Sequence, residues 1–107
     1  MKQSNRPVKT GSAKAGGENY VMLLFVVSDE PNSKQAKVNL KRICDTHLNG
    51  RYQNKIINVL EDFQLALEYN VLVTPTLVLV EPSPQVRIFG NLSDTKKVID
   101  ALRLPGD

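Results

Sequence analysis

The chain has 107 residues, a mass of 11.9 kDa, 41% hydrophobic and 23% charged residues, and a mean hydropathy of −0.25. These values bound it to one small domain of ordinary globular composition and exclude a fibrous or wholly disordered chain. A single cysteine, Cys44, excludes an intramolecular disulfide, a CxxC redox pair and a multi-cysteine zinc site, and a single histidine, His47, leaves too few soft ligands for metal chemistry. No cofactor is expected.

The net charge of +3 has a definite location. Residues 1–18 hold Lys2, Arg6, Lys9 and Lys14 against Glu18, whereas residues 19–107 balance ten basic against ten acidic side chains. Rich in Gly, Ser, Lys and Asn and without apolar periodicity, residues 1–18 are predicted to form a flexible basic arm ahead of a domain over 19–107. A neutral body with no Trp and 6% aromatics is not the footprint of a nucleic-acid-binding surface. The longest apolar stretch, Tyr20 to Val27, is too short to span a bilayer, and no signal-type apolar core follows the basic N-terminus. A cytoplasmic protein with neither a membrane nor a nucleic-acid partner is expected.

Tyr20 to Val27 reads instead as a strand covered on both faces. From Asn32 or Ser33 to about Leu48, apolar positions recur at Ala36, Leu40, Ile43, Cys44 and His47, while Lys34, Lys37 and Lys41 fall on another side, which predicts an amphipathic helix with Pro31 in its first turn. Asn49 and Gly50 stop it, and Tyr52 to Leu60 supplies a second strand, so the first half is a right-handed parallel crossover. Glu61 to Tyr69 is a short helix candidate whose apolar surface comes from Phe63, Leu65, Ala66, Leu67 and Tyr69. Val73 to Val80, with Pro75 at its entry, and Val86 to Phe89 form a hairpin across Pro82-Ser83-Pro84. Ser93 is the expected N-cap of a last helix that turns Val98, Ile99 and Leu102 inward and stops at Pro105-Gly106. The order βαβαββα predicts an α/β, thioredoxin-like fold: a mixed four-stranded sheet flanked by helices.

The same residues carry a resemblance. YVMLLFV at 20–26, PNS at 31–33, VL at 59–60, QLA at 64–66, TPTL at 74–77, PxP at 82–84, and GxLSD followed by KV at 97–98 match in order and spacing the pattern of the KaiB family of circadian clock proteins. From Tyr20 to Leu104 the chain resembles that family. The resemblance implies a bacterial, cytoplasmic, non-catalytic protein that acts by binding partners, foremost the hexameric ATPase KaiC. It also implies two folds, a tetrameric ground state and a thioredoxin-like state competent to bind KaiC. Because the family is similar to the N-terminal domain of the clock histidine kinase SasA, a sensor kinase is a second partner class and a sensory module a further function class.

The candidate sites follow from both readings. Pro75, in the Thr74-Pro75 bond, is a structural cis-proline candidate: it shapes the strand entry, or exposes backbone to which a peptide or glutathione adds as a strand. For partner binding the resemblance implies a basic face, in which Lys34, Lys55 and Arg87 are the candidate cations, while Gln35, Leu79 and Val86 stand where clock-type members carry Arg, Lys and Arg. That departure weakens the expectation of KaiC binding and points toward stress adaptation as another signalling task. Ala101 and Arg103 replace the family's Gly and Asp in a Gly-Leu-Asp stretch and are candidate fold-state determinants. Ala gains about 1 kcal/mol over Gly within a helix, and Arg a few tenths near a helix C-terminus, so a continuous last helix and the thioredoxin-like state are favoured. Cys44 reads as a small buried hydrophobe and His47 as a structural residue near a helix C-terminus. Asp29, Glu30, Glu61 and Asp62 read as solvated first-turn acids. The alternative function class is a thiol- or glutathione-linked redox protein, which requires Cys44 to lie reactive against Pro75.

Overall fold

The computed structural model describes residues 19–105, so the basic segment predicted over 1–18 lies outside the described residues. Seven elements follow in the order β1 (Tyr20–Val26), α1 (Pro31–His47), β2 (Tyr52–Asn58), α2 (Phe63–Glu68), β3 (Thr76–Glu81), β4 (Val86–Phe89) and α3 (Thr95–Leu102). They form one mixed sheet in the order β2-β1-β3-β4. β1 runs parallel to β2 and antiparallel to β3, and β3 runs antiparallel to β4. This is the expected arrangement.

Because successive strand residues point to opposite faces, β1 feeds two cores. Met22, Leu24 and Val26 join Ala36, Leu40, Ile43 and Cys44 of α1, Leu77 and Leu79 of β3, and Val98 and Leu102 of α3. Leu23 and Phe25 turn the other way, to Ile57, Val78 and Ala66 of α2. The sheet therefore carries α1 and α3 on one face and only the six-residue α2 on the other. Among the described residues no helix is long and apolar enough to cross a membrane.

Local chemistry sets the element ends. Glu30 caps α1 by accepting from the Ser33 amide at 2.8 Å, and Asp62 caps α2 by accepting from the Leu65 amide at 3.2 Å. Two of the four acids read as first-turn charges are thus N-caps. The chain leaves α1 through Asn49 and Gly50, both at positive φ. β2 ends two residues before the expected Leu60 because the Asn58 carbonyl accepts from the amides of Glu61 and Asp62, turning the backbone out of the strand.

The cap of α3 corrects the sequence expectation by one position. Asp94, not Ser93, accepts from the Lys97 amide at 3.2 Å, because the Ser93 amide is drawn back to Asn91 Oδ1 at 3.0 Å in a turn that places Leu92 at positive φ. That turn is bolted to α1. Asn39, buried in the middle of α1, donates to the Asn91 carbonyl at 2.9 Å, and Asn91 donates to Asn32 Oδ1 at 3.2 Å. Replacing Asn39 by Ala leaves the Asn91 carbonyl without its buried donor, a loss of about 1–3 kcal/mol. Amide exchange should accelerate first over 91–102, and uniform loosening of the whole sheet would refute that assignment.

Candidate interaction surface

The register places the candidate cations. Lys55 of β2 pairs with Leu23 of β1, Leu23 with Val78 of β3, and Val78 with Arg87 of β4. Paired residues share a face, so Lys55 and Arg87 end one row across the α2 side of the sheet, three strand spacings or roughly 14 Å apart. Lys55 is exposed, and half-buried Arg87 reaches the Asn70 carbonyl through Nη1 at 3.1 Å. Lys34 does not join them. It lies exposed on α1, across the sheet from α2.

The positions expected to weaken a basic face have a different meaning in this fold. Leu79 has no exposed surface and Val86 packs against the same α1/α3 core, so apolar side chains are what those two positions require. A cation at 79 would be desolvated, not presented. Of the three departures only Gln35 is exposed, and the row ended by Lys55 and Arg87 has lost no charge through Leu79 or Val86.

The Thr74-Pro75 bond is cis, as are Glu81-Pro82 and Ser83-Pro84. Pro75 is buried, and its carbonyl accepts from the Gly90 amide at 3.0 Å, tying the start of β3 to the end of β4. Thr76 Oγ1 donates to the Val73 carbonyl at 2.7 Å. Beside this turn lies an apolar groove of about 360 Å³ that runs from Val27 and Val73 along α2. Its exposed walls were hidden from sequence reading, in which Phe63 and Leu67 counted as apolar helix surface. Only Ala66 of α2 is buried, and Phe63 and Leu67 face solvent, because a six-residue helix lying on one strand pair has room for a single inward row.

Cys44 is no redox centre in this geometry. It is fully buried in the α1/α3 core, where its Sγ accepts from Asn54 Nδ2 at 3.6 Å. Desolvation by burial pushes its thiol pKa upward against the weaker opposing effect of that Asn54 contact. His47, the last residue of α1, places Nδ1 3.3 Å from the Pro105 carbonyl, a structural contact. Among the described residues no three His, Cys, Asp or Glu side chains are grouped to hold a metal ion. Asp45 accepts from Tyr52 Oη at 2.5 Å, and that hydrogen bond above all raises the phenol to about 12.

Ala101 and Arg103 also find definite places. Ala101 sits within α3, half-buried. Arg103 does not extend α3 as expected: it adopts the left-handed conformation at φ 57° and closes the helix. Its guanidinium donates to the Pro82 carbonyl at 3.2 Å, and its own carbonyl accepts from Tyr20 Oη at 2.9 Å. Arg103 thus pins the end of α3 to the β3–β4 turn and to β1.

These features define a class: a thioredoxin-fold domain whose single thiol is sealed in the core. The comparisons agree. The KaiB domain model matches residues 23–104, and the chain belongs to the KaiB family. It is 45% identical over 87 residues to the circadian clock oscillator protein KaiB of a Picosynechococcus species, covering 81% of this chain and 84% of that protein. The protein of the same name from Synechococcus elongatus is 44% identical and is covered to 85%. Those names denote a circadian clock component. Among solved structures, the N-terminal domain of Synechococcus elongatus SasA superposes with a TM-score of 0.67 at 25% identity, over 90% of this chain and 94% of that domain. Mitochondrial thioredoxin 3 of Saccharomyces cerevisiae superposes with a TM-score of 0.65 at 16% identity, over 80% and 78%, and shares the fold alone.

The raised thiol pKa gives a signed expectation. In the unfolded chain Cys44 ionises at its ordinary value near 9.0, while the folded state holds it protonated to higher pH. Its contribution to stability is complete below pH 9 and lost as pH rises through the folded pKa. Native protein at pH 7.5 should resist iodoacetamide until denaturant is added, and Cys44→Ala should flatten the alkaline limb of the stability curve. Rapid alkylation of the native thiol would contradict its burial.

Proposed function

We propose that this chain is a non-catalytic, cytoplasmic interaction module of circadian-type signalling that binds a KaiC-like ATPase, with a sensor kinase as the competing partner class. The observation that carries the reading, given the family, is the single row ended by Lys55 and Arg87. Two long cations about 14 Å apart, bracketing an apolar sheet centre, suit an acidic surface on a larger partner. Rim cations of this kind act on association rate and its salt dependence more than on residence time.

The experiment is an association-rate measurement against a purified KaiC-type ATPase. The Lys55→Glu/Arg87→Glu double variant should lower the on-rate by about tenfold at low salt and flatten its dependence on ionic strength. Lys34→Glu, on the other face, should leave both unchanged. A double variant that binds like the parent protein refutes the assignment.

The same proposal extends to the state of the fold: the chain holds the thioredoxin-like arrangement without a partner. What supports it is the unbroken α3, in which Ala101 avoids the roughly 1 kcal/mol cost of glycine within a helix, together with the two hydrogen bonds through Arg103. Ala101→Gly should lower the free energy of local opening of α3 by about 1 kcal/mol, read by native-state amide exchange over 95–102. Unchanged protection there would remove Ala101 as a determinant.

A further inference from the structure

The balanced charge of the domain is segregated in space. α1 carries Lys34, Lys37, Lys41 and Arg42, whereas the stretch from Ile56 to Leu79, which includes α2, holds no Lys, Arg or His and three acids, Glu61, Asp62 and Glu68. Asp29 and Glu30 come two and three residues after Val27, which lines the groove, and the Glu30 amide donates to the Val27 carbonyl at 3.2 Å. Among the described residues the ion pairs are Lys41–Asp45 and Lys96–Asp100, so none of the acids around the groove is neutralised. Arg87 is engaged with the Asn70 carbonyl, just past the C-terminus of α2.

The groove between those acids is apolar and open. Leu72 is 90% exposed, Leu60 73%, Phe63 62%, Leu67 58% and Val73 53%. With Val27 they line the 360 Å³ depression, whose side chains are all apolar except Thr74. A contiguous patch of large exposed apolar residues is costly in water and marks a contact surface. Nothing in the interior needs it, since the core on this side is already closed by Ala66, Phe25, Ile57 and Val78.

We infer that this groove is the docking site for a segment of another protein that presents two or three large apolar side chains flanked by lysine or arginine. The apolar floor accepts the hydrophobic anchors in the manner of a helix-in-groove contact, and the unneutralised carboxylates select cationic flanks. The same carboxylates repel anionic lipid surfaces and nucleic acid. The inference does not depend on the ATPase reading: that reading concerns cations in mid-sheet, this one the acids and apolar walls at the C-terminal end of β1.

The test uses the full chain, isotope-labelled, titrated with a synthetic amphipathic helical peptide bearing Leu at i, i+4 and i+7 and Lys at its remaining charged positions, and with a twin carrying Glu in place of Lys. The Lys peptide should shift amides over 60–73 with a Kd below about 100 μM, and the Glu twin should bind at least about tenfold more weakly. Leu67→Ser and the double variant Glu61→Lys/Glu68→Lys alter exposed side chains only. Each should reduce affinity by about tenfold while leaving the α1 amides in place. Four outcomes overturn the proposal: equal binding of the twins, shifts confined to α1 and α3, concentration-dependent shifts over 60–73 without peptide, which would make a second copy the occupant, or the same shifts with phosphatidylglycerol vesicles. Loss of ATPase binding in the Lys55/Arg87 variant with peptide binding intact would separate the two readings.

Discussion

The structure depends on β1 being a shared wall. Its seven residues, Tyr20–Val26, pair with β2 and five of them, Val21–Phe25, also pair with β3, and with both faces covered their side chains are divided between two cores. The continuous apolar run is the sequence form of that constraint. Once β1 is central, a parallel β2 on one side demands a crossover helix, and the antiparallel hairpin β3–β4 must fill the other side. The unequal coverage of the faces follows as well. Two helices and a long core lie on one, and on the other a single six-residue helix leaves sheet rows and its own outer residues in contact with solvent.

That asymmetry sets what each face of the sheet exposes. The thick face seals Cys44 away from water. The thin face presents a row ended by Lys55 and Arg87 and, at the C-terminal end of β1, an apolar groove ringed by acids. The row ended by Lys55 and Arg87 and the acids near the groove are opposite in charge, a polarity invisible in the balanced total of ten basic and ten acidic residues over 19–107.

The polar contacts between the halves of the chain have a different role. Asn39 to Asn91, Tyr20 to Arg103 and Arg103 to Pro82 all join residues distant in sequence, and each satisfies a backbone carbonyl. Their energy is modest, but they select one docking of α3 among several that hydrophobic burial alone would allow.

The amino-acid order by itself determined the element sequence, the coverage of β1 on both faces, the burial of Cys44 and the family pattern, because each is written in local periodicity, turn residues or spacing. It also placed α1 to within a residue or two and the β3–β4 hairpin to within three. What only the tertiary structure decided is which residues share a face. Lys55 joins Arg87 and Lys34 does not, because strand register and helix placement are long-range properties. Leu79 is core, Asp94 displaces Ser93 as a cap because Asn91 captures the Ser93 amide, and Arg103 closes α3 where helical continuation was expected. Phe63 and Leu67 look like core residues in a list of apolar positions. They are surface because a short helix on one sheet face can bury only one of its sides.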